Sequence, residues 1–149
     1  MINLNEYLSI GQNAVVQKVV STEDASDKYI SAFKELLSAP RLIHWAIDAS
    51  LDAVDPYLPE EYSSIGAMIE FSCTAPTSVG MTVTVHAKIK EIGERDVVLA
   101  LEAWDEQGII GTGTHRRIVV EAESVLNKAR ERVKTISSRR ILNWAKKKP

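Results

Sequence analysis

A chain of 149 residues, 45% hydrophobic and 26% charged, has the length and balance of one ordinary globular domain with its own core. The lone cysteine, Cys73, excludes an internal disulfide, no Cys/His cluster has zinc-ligand spacing, and no apolar run approaches the ~20 residues that span a bilayer. The net charge of −2 averages two unlike parts, because residues 127–149 hold nine Lys/Arg against one Asp/Glu, +8, which leaves −10 on the rest. The opening MINLNEYLSI lacks a basic n-region and carries Glu6, so no secretory signal is expected and the expected location is cytoplasmic.

Residues 14–20, AVVQKVV, are β-branched with polar interruptions and predict a first strand. Ser21 with Asp24 three positions on marks a helix start, and Tyr29, Ile30, Phe33, Leu36 and Leu37 repeat at helical spacing, which predicts a short helix. The organising stretch follows at residues 38–58. There Ile43, Ala46, Ile47, Ser50, Leu51 and Val54 make one largely apolar stripe, and Arg41, His44, Asp48, Asp52 and Asp55 make the opposite one. Ser38 is placed to cap this long helix, Pro40 is tolerated in its first turn, and Asp55-Pro56 ends it.

Almost everything after the helix predicts strand. Residues 64–74 would put Ile65, Ala67, Ile69, Phe71 and Cys73 on one face. Residues 81–90 alternate with Met81, Val83, Val85, Ala87 and Ile89 inward, the pattern of a half-buried antiparallel strand. Two more strands follow at 96–104 and 109–120 across tight turns, which gives a meander. The last carries Gly111 and Gly113 on the face that continues through His115 and Arg117, as expected where the sheet packs closely on the central helix and Arg117 meets an acid. Residues from Glu121 on predict a helix with a narrow apolar stripe, Val125, Ala129, Val133 and Ile136, set among basic residues. Trp144 beside three lysines is either a candidate anchor to a partner or an anionic surface, or part of a solvated tail.

The order of strand, helices and strand run resembles a hotdog fold, an α+β architecture in which an antiparallel sheet wraps a long central helix. The residues 55–117 are similar to the fluoroacetyl-CoA thioesterase-like group of that superfamily. The resemblance is carried by Pro56-Tyr57-Leu58, Ser64-Ile65-Gly66, Thr74-Ala75, Gly80 with Thr82-Val83-Thr84-Val85, and Gly111-Thr112-Gly113-Thr114-His115-Arg116-Arg117. It implies a hotdog domain, expected over 1–124; the basic helical stretch over 125–149 is longer than the group needs and is expected as an extension. It also implies a homodimer, with tetramer left open, whose sheets join edge to edge and whose acyl-CoA sites lie between subunits.

That group works with a threonine, a glutamate and a histidine. Unbroken spacing places the threonine position at Ala39, the glutamate position at Ile47 and the histidine position at Cys73, so all three are replaced, while the substrate-binding glycine matches Gly66 and the last-strand arginine matches Arg117. Fluoroacetyl selectivity is therefore not implied. Asp48, one step from Ile47, with His44 four residues before it, is the nearest substitute base; the ordinary alternative is an exposed His–Asp pair. Cys73 is a nucleophile only if a cation such as His115 or Arg117 lies close, and otherwise a small buried hydrophobe.

The expectation is thus an acyl-CoA thioesterase with a non-standard site built from Asp48, His44 and Cys73, beside Gly66, Arg117, Ala39 and Ile47. A non-catalytic module that binds acyl-CoA or a CoA-like ligand is the alternative. No cofactor or metal is expected. Nucleic acid is disfavoured as partner because no recognised motif accompanies the basic tail, which could equally meet the phosphates of bound CoA.

Overall fold

The computed structural model describes residues 2–26, 31–136 and 138–147. It contains strands β1 (Asn13–Val19), β2 (Tyr62–Cys73), β3 (Thr82–Ile92), β4 (Asp96–Asp105) and β5 (Gly108–Glu121). The helices are α1 (Ala39–Val54), α2 (Ala122–Lys134) and α3 (Ser138–Lys147). The strands form one antiparallel sheet in the order β1-β3-β4-β5-β2, and α1 lies across one face of it. This is the hotdog arrangement that the sequence predicts. The expected meander is β3-β4-β5, and β2 crosses over to pair with β5 from Tyr62↔Glu121 to Cys73↔Gly111 and forms one edge, with β1 as the other.

The central helix begins and ends where its chemistry requires. Ser38 accepts from the Arg41 N–H at 3.3 Å, Pro40 occupies the first turn, and a 3-10 turn over Asp55–Tyr57 follows the last helical residue. Its buried stripe is rotated from the expected one. Leu42, Trp45, Ala46, Ala49, Ser50, Ala53 and Val54 face the sheet, while Ile43, Ile47 and Leu51 sit half-buried on the shoulder. Three alanines in the stripe let the helix backbone come close to β1 and β3, so the bulkier aliphatics are left at its side.

The alternation of β3 is as expected, with Val83, Val85, Ala87 and Ile89 fully buried. In β2 it is not. A register shift between Gly66 and Met68 makes Ala67 a bulge, so Ser64 and Gly66 face inward before it and Ile69 and Phe71 after it. Ile65, expected inside, is 43% exposed. The short helix expected around residues 29–37 is absent from its described part: Ser31–Phe33 is a 3-10 turn, and Leu36 and Leu37 make isolated bridges to Ser78 and Ala25. Tyr29 and Ile30 lie outside the described residues.

Gly111 and Gly113 are required by the neighbouring strand rather than by α1. The Phe71 ring on β2 lies across both: a Cβ at Gly111 would stand 2.5 Å from that ring, and one at Gly113 would collide with the Glu70 carbonyl oxygen. Beyond β5, α2 has no buried residue. Among the described residues no helix is long and apolar enough to cross a membrane.

Candidate functional site

The N-terminus of α1 opens onto a cavity of about 320 Å³. Ser38, Ala39 and Leu42 form one wall, and Cys73, Thr74 and Ala75, from the end of β2, form the other. The capping geometry decides what this helix end offers. Pro40 has no N–H, the Arg41 N–H is taken by Ser38 Oγ and the Leu42 N–H by the Ser38 carbonyl at 3.1 Å. Among the described residues the Ala39 N–H is left as the one first-turn donor without an acceptor, at the positive end of the helix dipole. The wall also carries Thr77, whose hydroxyl is committed to Asp105 at 2.8 Å.

Cys73 is exposed, not the buried hydrophobe that its place in the strand pattern suggests, because β2 is an edge strand and runs out at the cavity. What desolvation it has pushes its thiol above the ordinary value, so the thiolate is scarce at neutral pH. No cation from β5 lowers it. Cys73 pairs with Gly111 and Ile69 with His115, and four residues of strand put His115 roughly 13 Å away.

His115 and Arg117 belong instead to a buried network between α1 and the sheet. Arg117 donates through Nε to Ser64 Oγ and through Nη2 to the Ser64 carbonyl, both at 2.7 Å. Ser64 Oγ and N in turn donate to the Asp55 carboxylate at the end of α1. On the other side Arg117 Nη1 stands 3.5 Å from His115 Nε2, and His115 Nδ1 stands 2.9 Å from Ser50 Oγ. The Ser50 hydroxyl is spent on the Ala46 carbonyl at 2.9 Å, so Ser50 accepts from Nδ1–H and His115 is the neutral tautomer with Nε2 bare. Burial first, and the Arg117 charge second, hold its pKa down from 6.5 to about 4. Burial also lowers Arg117 from its ordinary value, against the opposing effect of Asp55. Arg117 thus meets its acid through Ser64 rather than directly.

The expected site residues fall in three places. Ala39 and Cys73 line the cavity from opposite walls. Gly66 lies over the network, where a Cβ would be 3.4 Å from His115 Nε2 and 3.5 Å from Arg117 Nη1. His44 and Asp48 form an exposed pair, 3.5 Å apart, on the side of α1 turned from the sheet, and Ile47 is half-buried beside them. Within one chain none of these three lines the cavity. Sequence reasoning missed Ser50, Ser64 and Asp55 as partners of the β5 pair. A serine inside an apolar stripe and a histidine at an inward strand position were the available signals. Among the described residues no group of three or more His, Cys, Asp or Glu could hold a metal ion.

The profile of the family described as fluoroacetyl-CoA-specific thioesterase matches residues 9–123. The chain belongs to that family. A fluoroacetyl-CoA thioesterase from Streptantibioticus cattleyicolor is 35% identical over 91 residues, 61% of this chain and 63% of that protein, so the match spans less than two thirds of the relative's length. A hot-dog-like protein from Thermanaerovibrio acidaminovorans superposes with a TM-score of 0.83 at 27% identity over 88% of this chain and 97% of its own. A variant of the fluoroacetyl-CoA thioesterase in complex with acetyl-CoA superposes with a TM-score of 0.77 at 27% identity, over 84% of this chain and 98% of its own. This member of the thioesterase family has the hotdog fold that its likeness to the group predicted.

Proposed function

We propose that the chain hydrolyses acyl-CoA thioesters with a rearranged active site, as a homodimer joined edge to edge through β2. The observation that carries this reading is the convergence of Ala39 and Cys73 on one cavity. The two positions were matched to the family's threonine and histidine through separate stretches of spacing, and they meet in space at a helix N-terminus. The acetyl-CoA complex of a relative supports a CoA thioester as ligand. The dimer is supported by the length of the open β2 edge, where Ile65 and Met68 are 43% and 54% exposed.

In this reading the thioester carbonyl oxygen points at the Ala39 N–H. Asp48, oriented by His44, takes a proton from water, which attacks the carbonyl carbon. The oxyanion is held by the N–H and the positive end of α1, an arrangement in which a single donor contributes on the order of 10²–10³ in rate. The carbon–sulfur bond then breaks, the proton passes to the departing CoA sulfur, and the products are a carboxylic acid and the free thiol. Asp48 reaches the cavity only if the dimer brings the outer face of one α1 to the other subunit's cleft. Cys73, a neutral thiol, lies where the thioester sulfur passes and gives the leaving group an uncharged neighbour.

One observation favours a second reading, a non-catalytic acyl-CoA-binding module: among the described residues no carboxylate or imidazole lines the cavity within a chain. Thiol release from short, branched, aromatic and long acyl-CoA substrates decides between them, with Asp48→Asn and Cys73→Ala beside the parent. Turnover lost in Asp48→Asn supports the rearranged site, and turnover lost only in Cys73→Ala replaces it with a covalent acyl-cysteine route. Binding without turnover leaves the module, and neither binding nor turnover sinks both.

A further inference from the structure

We propose that α2 and α3 form an anchor that lies on the surface of an anionic lipid bilayer. Val125, Leu126, Ala129 and Val133 share one side of α2 and make an apolar stripe along it, and Ile136 follows in the turn just past its end. Nothing in the described chain covers it: α2 has no buried residue, and Leu126, Val133 and Ile136 are 48%, 69% and 52% exposed. By the same helical step Lys128 and Arg132 flank the stripe on one side, and Arg130 and Lys134 on the other. The only acids of the helix, Glu123 and Glu131, make exposed pairs with Arg130 and Lys134, pairs weak enough to exchange for lipid phosphates.

The second helix repeats the pattern. Along α3, positions 141, 142 and 145 (Ile, Leu, Ala) share one arc, while Arg139, Arg140, Lys146 and Lys147 occupy the other. Trp144 stands at the border of the two arcs and is 61% exposed. An apolar stripe flanked by cations, with an aromatic at the boundary, is what a helix needs to sink one face into the acyl region while its lysines and arginines reach the headgroups. At 13 and 10 residues the helices are too short to span the ~30 Å hydrocarbon core, and can only lie along it.

Charge selects this occupant over others. A second copy of α2 would bring Arg130 and Arg132 against their like, which penalises pairing along the stripe. A nucleic acid would use the cations and leave the apolar stripe without a role. The body carries −10 and the segment from 127 on +8, so an anionic surface repels the first and attracts the second, and the chain approaches tail first.

The test is co-sedimentation of the full chain with phosphatidylcholine vesicles containing about 30% phosphatidylglycerol, against pure phosphatidylcholine, at low salt and at about 0.5 M salt. We expect at least ~10-fold stronger partition onto the anionic vesicles, lost at high salt, with a blue shift of tryptophan emission that disappears in Trp144→Phe. Val133→Asp combined with Ile136→Asp should cut the partition by at least ~10-fold with the melting temperature of the body unchanged, because neither residue packs on it. The proposal is overturned if the parent stays in the supernatant with anionic vesicles. It is also overturned if the double variant partitions like the parent, which reduces the tail to a general polycation. Tighter binding to duplex DNA than to vesicles at the same salt overturns it too. So does a double variant that loses a self-associated form while vesicle binding stays.

Discussion

Replacing His115 by Asn should flatten the acid side of the stability curve by about 3 kcal/mol. His115 is buried with its Nδ1–H spent on Ser50 and its bare Nε2 facing Arg117 Nη1 at 3.5 Å, so protonation would put a second charge beside a buried cation. Its pKa is accordingly lowered from 6.5 to about 4 in the folded chain. Between those two values the unfolded chain binds the proton and the folded chain does not, so stability rises with pH across the window. The contribution is complete above 6.5 and lost as the pH falls toward 4. At 1.36 kcal/mol per pH unit, the shift corresponds to about 3 kcal/mol between pH 7 and pH 4. Asn keeps an N–H donor for Ser50 and cannot titrate. Urea unfolding of parent and His115→Asn at one protein concentration, at several pH values from 7 to 4, gives the difference of differences, from which carboxylate titrations common to both proteins cancel. The variant is expected to be less stable at pH 7, from the lost ring, but to lose about 3 kcal/mol less on acidification. Equal losses in the two proteins would refute the assignment of a neutral buried imidazole.

Three further outcomes follow from the geometry. Gly113→Ala places a Cβ against the Glu70 carbonyl and the Phe71 ring and should cost about 1–3 kcal/mol, read as a lower urea midpoint; an unchanged midpoint would mean that β2 can move aside. Iodoacetamide should label one thiol per chain, slowly at pH 7 and about tenfold faster per pH unit until the raised Cys73 pKa is passed, and a bound acyl-CoA should protect it; a fast reaction at pH 7 would reveal a cation near the sulfur. Removing the residues after Ile136 should leave acyl-CoA affinity and the melting temperature of the body unchanged by calorimetry, and a drop in affinity would bring the tail to the CoA phosphates instead.

The parts of this fold that could be read from the chain are those in which one face is wet and the other dry. The alternation from Met81 to Lys90 names its buried residues because each side chain of β3 has a single choice of face. The central helix was legible as a helix and misread in phase. Hydrophobicity weights Ile43, Ile47 and Leu51, but close approach to the sheet selects Ala46, Ala49 and Ala53, and Ser50 is buried because its hydroxyl answers both Ala46 and His115. A bulge leaves the composition of a strand untouched, so nothing in SIGAMIEFSC announced that Ala67 would switch the faces of β2 and turn Ile65 outward. The pair of glycines was read as a sign of close approach, which is right, but the approaching group is the Phe71 ring on a strand some forty residues earlier, and only the β2–β5 register reveals it.

The same register bears on what Gly66 and Arg117 do. Gly66 and Arg117 are directly paired across β2 and β5, and Arg117 is tied through Ser64 to Asp55, at the end of α1, and through His115 to Ser50, in its middle. These bonds fix the axial position and rotation of the central helix on the sheet, and breaking a buried polar network of this kind is costly whether or not a substrate ever binds. An arginine at 117 and a serine at 64 are therefore accounted for by folding alone, and their presence cannot by itself argue for catalysis. The cavity is different. Ala39 and Cys73 make no side-chain hydrogen bond among the described residues and line the cavity beside the Ser38 cap, so side chains at 39 and 73 can vary without breaking a buried polar network. The rigid ties of the network and the unconstrained cavity wall are separate parts of the scaffold, and in the proposed mechanism the base is Asp48, outside the cavity of its own chain.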